Sequence, residues 1–344
     1  MNYTLLIYVL GAFFVSLITQ YLVIDLSHKK GIFIDDHMSD LPQKLHSEPT
    51  PRIGGLGIFV AILFMAKDLE LGLYLLLCLI PAFLAGFLED LFAKISPSRR
   101  LLIMSISGIM AIYLIDAVVV DFGFILVPYW VGILVTMVAI IGLINGTNMI
   151  DGFNGLSSGV SFLIFSAYFV ISIIVKDEVM AYICLICMAA ILGFLVFNFP
   201  YGKVFLGDGG AYSLGFLLAV LSIIIVKRNH EISPWFVLVC LIYPVFEVIF
   251  SFTRRTLVHR LSPLYPDSKH VHQLIFRNIA NQNNPKTTLM IYPVVILFNT
   301  LAVIFYQNMI ALIVISLIFI TLYTLFYFYY SRKEISTRKV ESKT

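Results

Sequence analysis

The sequence predicts an all-α, polytopic membrane protein of about 11 transmembrane helices, and three observations predict it. Of 344 residues, 60% are hydrophobic and only 12% charged, too little charge for an ordinary soluble surface. Apolar stretches long enough to cross ~30 Å of hydrocarbon recur from end to end. Lys and Arg, finally, are concentrated in alternate loops, as they are in proteins whose cytoplasmic loops retain positive charge.

Eleven stretches qualify: residues 3–25, 53–67, 71–92, 100–116, 128–146, 155–175, 179–199, 211–227, 234–254, 288–306 and 309–331. No polar stretch between them is long enough for a separate domain. Residues 1–331 therefore read as one membrane domain with polar loops at 26–52, 89–100, 145–155, 198–210 and 254–287, followed by a basic tail at 332–344. The opening MNYTLLIYVLGAFFV lacks a basic leader and a small-residue cleavage site, so it reads as a retained helix. With eleven spans the loops alternate sides. Nineteen of the 23 Lys and Arg fall on one side, and only Lys67, Lys176, Lys227 and Arg228 on the other. This orients the N-terminus outside and the C-terminus in the cytoplasm. The same topology explains the net charge of +3, so the basic residues carry no signal for nucleic acid. Cys78, Cys184, Cys187 and Cys240 all lie inside spans. Cys184 and Cys187 form a CxxC without a second pair or a nearby His, and read as small buried residues rather than a metal site.

The polar loops on the basic side, taken in order, gather chemistry. Between the first two spans, DLPQKLHSEPTPRIGG (40–55) is held extended by its prolines. Its Lys44, His46 and Arg52 beside a helix start suit an anion, although a linker with topology-setting charges accounts for them equally. The third span ends in Glu89-Asp90, two adjacent carboxylates at the negative end of a helix dipole. They need a cation or a proton, or serve as a capped helix end beside Lys94, Arg99 and Arg100. The seam NGTNMIDGFNG (145–155) places Asn148, Asp151 and Asn154 between two apolar runs, where polar groups are costly unless they line a cavity. In NFPYGKVFLGDGGAY (198–212), Asp208 at a helix entry can cap that helix. Three surrounding glycines would also leave room for a diphosphate against free N–H groups, with Lys203 close by. The last loop carries Arg260, then Asp267, Lys269, His270 and His272, a basic or metal-competent group. Glu247, within the preceding span, is expected to pair with a nearby Arg. Acids that hold a divalent cation and bases that hold phosphates describe a nucleoside diphosphate site.

At these residues the chain resembles the polyprenyl-phosphate N-acetylhexosamine-1-phosphate transferases. The motifs occur in the family's order over residues 40–275: KxHxxPTPRxGG, paired acids ending a helix, NxxNxxDGxxGL, FNxPxxKxFxGDxG and SPxxPDxxHxH. The HxH loop is similar to the GlcNAc-1-phosphate type rather than to the pentapeptide translocases. The resemblance implies transfer of a sugar 1-phosphate from a UDP-N-acetylhexosamine to undecaprenyl phosphate with release of UMP, initiating a surface glycan such as an O-antigen or cell-wall polymer. It also implies a cofactor, Mg²⁺ or Mn²⁺, an inner-membrane location and a cytoplasmic site, and it leaves a homodimer open. Asp208 is the implied metal ligand, with Asn148. Glu89, Asp90, Asp151, His270 and His272 are implied in catalysis, and His46, Asn148, Asn154, Lys203, Arg260 and Lys269 in holding nucleotide, sugar and phosphates. Three positions depart from the family pattern. Glu89 stands where an Asp is usual, Asn154 where bacterial members commonly carry Asp, and Gln273 where a further His often follows HxH.

Two other classes use polar residues in apolar chains. A CDP-alcohol phosphatidyltransferase needs an Arg after its DG pair and a later aspartate pair, and neither follows Asp151-Gly152. A transporter places its polar groups near the bilayer midplane, whereas these lie at one surface. A catalytically divergent relative fits the same motifs.

Overall fold

A computed structural model describes residues 3–35, 50–66, 70–92, 94–258 and 269–341. The predicted elements His46, Arg260 and Asp267 lie outside the described residues.

The chain is a helical bundle in chain order: α1 (Tyr3–Lys30), a two-residue antiparallel ribbon of β1 (Ile34–Asp35) and β2 (Thr50–Pro51), α2 (Gly55–Ile62), α3 (Glu70–Phe92), α4 (Pro97–Ile115), α5 (Tyr129–Met149), α6 (Leu156–Ile174), α7 (Glu178–Asn198), α8 (Gly207–Arg228), α9 (Pro234–Cys240), α10 (Ile242–Thr253), α11 (Val271–Asn278), α12 (Asn284–Ile304) and α13 (Met309–Glu341). Among the described residues nine helices are long and apolar enough to cross a membrane, and a tenth crossing forms if α9 and α10, bent by 75° at one break, count as one. This is a multi-pass membrane protein.

The second expected span, 53–67, differs. It is α2 continued by a 3-10 turn, Leu63–Ala66, and at about 1.5 Å per residue these twelve residues fall well short of 30 Å. Glycines let it sit against its neighbours: a Cβ on Gly57 would lie 2.2 Å from Gln20 Nε2, and one on Gly55 would lie 2.1 Å from the Gly210 amide nitrogen. α8 is the central staff of the bundle. Its residues from Gly207 to Ile225 are buried, and α3, α5, α2 and α6 pack around it.

The helix connections collect at two ends of the bundle. One end collects the α3–α4, α5–α6 and α7–α8 connections together with α11 and the start of α12. The opposite end collects the α4–α5, α6–α7, α8–α9 and α12–α13 connections, tied by Arg228 to Asp177, Ser233 N–H to the Tyr306 carbonyl and Trp235 Nε1 to the Phe122 carbonyl. All four cysteines are free and buried.

Candidate active site

The site is built where α3 ends and α8 begins. The last turn of α3 carries Asp90 under the first turn of α8, and its two carboxylate oxygens accept the backbone N–H groups of Asp208 (2.9 Å) and Gly209 (2.8 Å). Asp90 therefore caps α8 from another helix, placing a negative charge at the positive end of that dipole. Close approach is what the glycines permit. Gly207 is left-handed at φ +74°, and a Cβ there would lie 2.3 Å from the Arg52 carbonyl oxygen and 2.6 Å from Asp90 Oδ2, while one on Gly86 would lie 2.3 Å from the Asp208 carbonyl carbon. The glycines flanking Asp208 were expected to leave room for a diphosphate against free N–H groups. They instead let three chain segments touch, and the Asp208 and Gly209 amides are already used by Asp90.

Asp208 is buried, with 4% of its surface exposed, and both its oxygens meet arginines: Arg52 Nη2 at Oδ1 and Arg100 Nη1 at Oδ2, each 2.9 Å away. Arg52 also approaches Asp90 (Nε to Oδ1 3.6 Å), and Arg100 donates to the Tyr212 hydroxyl at 3.3 Å. Two acids, two arginines and a helix N-terminus thus form one compact network. In the sequence Arg52 reads as suited to an anion or as a linker charge, and Arg100 as a neighbour of the Glu89-Asp90 helix end. The signal was present in the need of Glu89-Asp90 for a cation, but Asp208 was not identified as the partner. Glu89 turns to the α3–α4 connection, where Oε2 accepts the Ile95 N–H at 2.9 Å.

The seam divides by function. Asn145 donates back to the Ile141 carbonyl of its own helix. Asn154 is a structural tie: its Nδ2 donates to the Pro200 carbonyl (2.9 Å), its N–H goes to Asn284 Oδ1, and its carbonyl takes the Thr288 hydroxyl. A carboxylate cannot donate to Pro200, which is a physical reason for Asn where Asp is common. Gly155 follows at φ +73° to open α6, its N–H bound by Asn198 Oδ1 and its carbonyl by Tyr292. By contrast, the side chains of Asn148 and Asp151 have no hydrogen-bond partner among the described residues. Burial pushes the Asp151 carboxyl up to about 7; the Arg52 guanidinium opposes the shift and Asp208 adds to it. Asp151 is therefore within electrostatic reach of the Asp208 network.

The HxH segment closes over the seam. His270 and His272 are buried with their rings stacked, 5.2 Å apart and 6° from parallel. The His272 ring meets the Phe153 edge at 5.6 Å, and a Cβ on Gly152 would lie 3.8 Å from His272 Nε2. Its Nδ1 faces the Tyr243 hydroxyl at 3.3 Å. Burial holds the His272 imidazole down to about 3, with Glu247 opposing and the charges of His270 and Arg277 adding to it. The expected positive group is thus a neutral ring at this position. Gln273 accepts the His270 N–H through Oε1 at 3.1 Å and closes the start of α11, a role that a third His side chain would fill with different geometry. Glu247 does not rely on an Arg; it takes His270 and Tyr323 instead. Lys203 is exposed, its ammonium 5.5 Å from the Tyr201 ring centroid. Lys269 is exposed, with its carbonyl bound by Arg254.

Among the described residues no three His, Cys, Asp or Glu side chains converge as a ligand set. Asp151, Asn148 and Asp208 nevertheless offer hard oxygen donors. A half-buried carboxylate with no hydrogen-bond partner among the described residues, beside a second acid, fits an ion held by one or two carboxylates plus waters and substrate phosphates, the usual manner of Mg²⁺.

The sequence profile of glycosyl transferase family 4 matches residues 72–226, the stretch from α3 through α8 that carries Asp90, Asp151 and Asp208. An undecaprenyl-phosphate α-N-acetylglucosaminyl 1-phosphate transferase of Thermotoga maritima is 31% identical over 282 residues, covering 81% of this chain and 84% of its own. A probable undecaprenyl-phosphate N-acetylglucosaminyl 1-phosphate transferase of Bacillus subtilis is 27% identical over 315 residues, covering 87% and 85%. A phospho-N-acetylmuramoyl-pentapeptide-transferase of Bacillus cytotoxicus is 31% identical over a shorter 240 residues, 63% of this chain and 74% of its own. The chain belongs to glycosyl transferase family 4, among the polyprenyl-phosphate N-acetylhexosamine-1-phosphate transferases.

Proposed function

We propose that this protein transfers an N-acetylhexosamine 1-phosphate from a UDP-sugar to undecaprenyl phosphate at the cytoplasmic face of a bacterial inner membrane, initiating a surface glycan. A lipid phosphate oxygen bonds to the β-phosphorus of the donor, the bond from that phosphorus to the bridging oxygen breaks, and UMP leaves. The observation that carries the proposal is Asp208, an acid clamped between Arg52 and Arg100 at a helix N-terminus, with Asp151, which has no hydrogen-bond partner among the described residues, in electrostatic reach. Acids and arginines in one network suit a substrate that brings both a cation and a diphosphate. The arginines exchange the Asp208 carboxylate for phosphate oxygens, to which their forked donors are matched. Asp208, Asp151 and Asn148 hold Mg²⁺ or Mn²⁺, which when bound neutralises diphosphate charge.

The residues divide the remaining work. Asp90 fixes the backbone of 208–209, so Asp208 and the helix end keep one geometry. His272, neutral and stacked on His270, packs against Phe153 and beside Gly152 at the edge of the seam. Lys203 and Lys269, both exposed, border the site and attract the anionic donor. A lipid phosphate is largely ionised at neutral pH, so charge neutralisation contributes more than proton removal. The charge bias of the loops supports the cytoplasmic assignment.

The test is purified protein with Mg²⁺, undecaprenyl phosphate and a panel of UDP-N-acetylhexosamines. UMP and a lipid-linked sugar diphosphate should form with at least one donor and be lost in Asp208→Ala. UMP from no donor in a folded preparation would overturn the proposal.

A further inference from the structure

Beneath the stacked histidines lies a buried hydrogen-bonded chain that touches none of the acids of the seam. Glu247, in the middle of α10, has a side chain only 1% exposed. Its Oε1 lies 2.8 Å from His270 Nδ1 and accepts the Val271 N–H at 3.4 Å, while Oε2 accepts the Tyr323 hydroxyl of α13 at 2.7 Å. An acid at this depth is costly unless its oxygens are satisfied, and here both are. A carboxylate accepts, so His270 carries a hydrogen on Nδ1, and a guanidinium only donates, so the Nε2 that faces Arg255 is the accepting nitrogen. That nitrogen lies 3.5 Å from Arg255 Nη2, on the π-helical turn Arg254–Val258 that continues α10. Arg254, on the same turn, binds the Tyr327 hydroxyl at 2.6 Å and the Lys269 carbonyl, holding the chain just before His270. The His270 ring in turn supports His272, whose far edge meets Gly152 beside Asp151.

We propose that Glu247 is a positioning residue for the transfer reaction: with Tyr323 it fixes the plane and tautomer of His270, so that Nε2 and the stacked His272 are held as one unit against the Asp151 seam. The proposal rests on the reaction proposed above. Glu247 acts only through His270. Among the described residues the charged and titratable groups around His270 are Glu247, Tyr243, Arg254 and Arg255 of α10 and its continuation, Tyr323 and Tyr327 of α13, and Lys269, His272 and Arg277 of its own segment. Among them Glu247 is the acid bonded to the ring. A carboxylate behind a metal-bound imidazole sets its orientation, and its removal typically costs about 10–100-fold; the same order is expected for an imidazole oriented here by Glu247.

Glu247→Gln keeps the size and one acceptor oxygen but loses the charge. It should lower kcat about 10–100-fold, with the donor KM within about threefold, and the ¹⁵N spectrum of histidine-labelled protein should show His270 changing from a single Nδ1–H form to a tautomer mixture. In a His270→Ala background the same change should cost less than about twofold further, because coupled residues are not additive. Tyr323→Phe should give a smaller loss in the same direction. An equal loss in both backgrounds, or an unchanged His270 tautomer, overturns the inference. Should Glu247→Gln not purify in a folded state, Tyr323→Phe is judged by the same two criteria. Wild-type turnover is measured alongside. Its absence counts against the reaction itself, whereas an unchanged tautomer in a protein that turns over counts against Glu247 alone.

Discussion

The two ends of the bundle treat their acids differently. At the end away from the site, Asp177 caps α7 through the Met180 N–H and is gripped by Arg228 Nε (2.7 Å) and Nη2 (3.0 Å) and by Asn229 (3.1 Å). Asp116 is bound there by Lys227 and by the Tyr129 hydroxyl at 2.7 Å. Every contact is supplied from within the chain, and the result is a set of clasps holding α4, α5, α7 and α8. At the other end Asp151 and Asn148 have no hydrogen-bond partner among the described residues, and Asp208 is held by Arg52, which it shares with Asp90, and by Arg100. Polar groups completed by the fold serve the fold, and groups the fold leaves incomplete serve a ligand. The largest expected effect tests that distinction directly. Asp208→Ala should reduce turnover by about 10²–10³-fold or more, while Asp177→Ala should leave turnover within about twofold and lower the melting temperature, at a cost of about 1–2 kcal/mol for the lost cap. Comparable turnover losses in the two variants would erase the distinction.

The same contrast should appear as opposite responses to pH. Burial works against the Asp177 charge, but Arg228, Asn229 and the Met180 N–H outweigh it and hold the carboxyl below its ordinary value. Its contribution is present above the ordinary carboxylate range and is lost as pH falls through the folded value. Asp151 has the reverse sign. Its folded value of about 7 means that the fold binds a proton the unfolded chain has released, so stability falls as pH rises from about 4 towards 7. Asp151→Asn should therefore raise the melting temperature at pH 8, by on the order of 1–2 kcal/mol once solvent screening of a half-buried group is allowed for, and change little at pH 4. Divalent cation should stabilise the wild type at pH 8 and do so less in Asp151→Asn. Equal cation shifts in the two proteins would remove Asp151 from the ligand set.

Much of this was legible in the sequence because apolar length and loop charge are local properties. The eleven apolar segments all reappear as helical structure, although 53–67 is short and 234–254 is bent by 75° at one break, and polar loops gather at one end of the bundle. Individual roles were less legible because they depend on distant partners. Asp90 reads as a base or metal ligand until α8, 118 residues later, supplies the N–H groups it caps. Glu247 invites an Arg because Arg254 and Arg255 follow in sequence, yet His270 and Tyr323 take its oxygens. The glycines around Asp208 were identified as meaningful, but what they admit is backbone: the approach of α2 and α3 is invisible without the fold.

Asn154 gives a smaller effect on the boundary between the two kinds of polar group. It lies in the seam, three residues after Asp151, yet it is completed like an acid at the far end. Asn154→Asp would set a carboxylate against the Pro200 carbonyl, losing one donor and adding repulsion. It should cost about 1–3 kcal/mol of stability while the donor KM stays near the wild-type value. A large KM change with no loss of stability would move Asn154 into the ligand-binding group.

The smallest expected effect is at Glu89, where the longer side chain stands in place of the usual Asp. Its Oε2 accepts the Ile95 N–H and so stabilises the connection from α3 into α4, the helix that carries Arg100. Glu89→Gln retains an acceptor oxygen, so turnover should stay within about threefold. Glu89→Ala should cost about 0.5–1.5 kcal/mol, read as a lower melting temperature. Because Arg100 reaches Asp208 from the first turn of α4, loosening this connection should weaken the clamp rather than remove it, appearing as a modest rise in donor KM. A loss as severe as that of Asp208→Ala, from the Gln variant, would instead place Glu89 among the groups left incomplete for a ligand. The paired acids would then act together, and the division between Asp90 as a cap and Asp208 as a ligand would have to be redrawn.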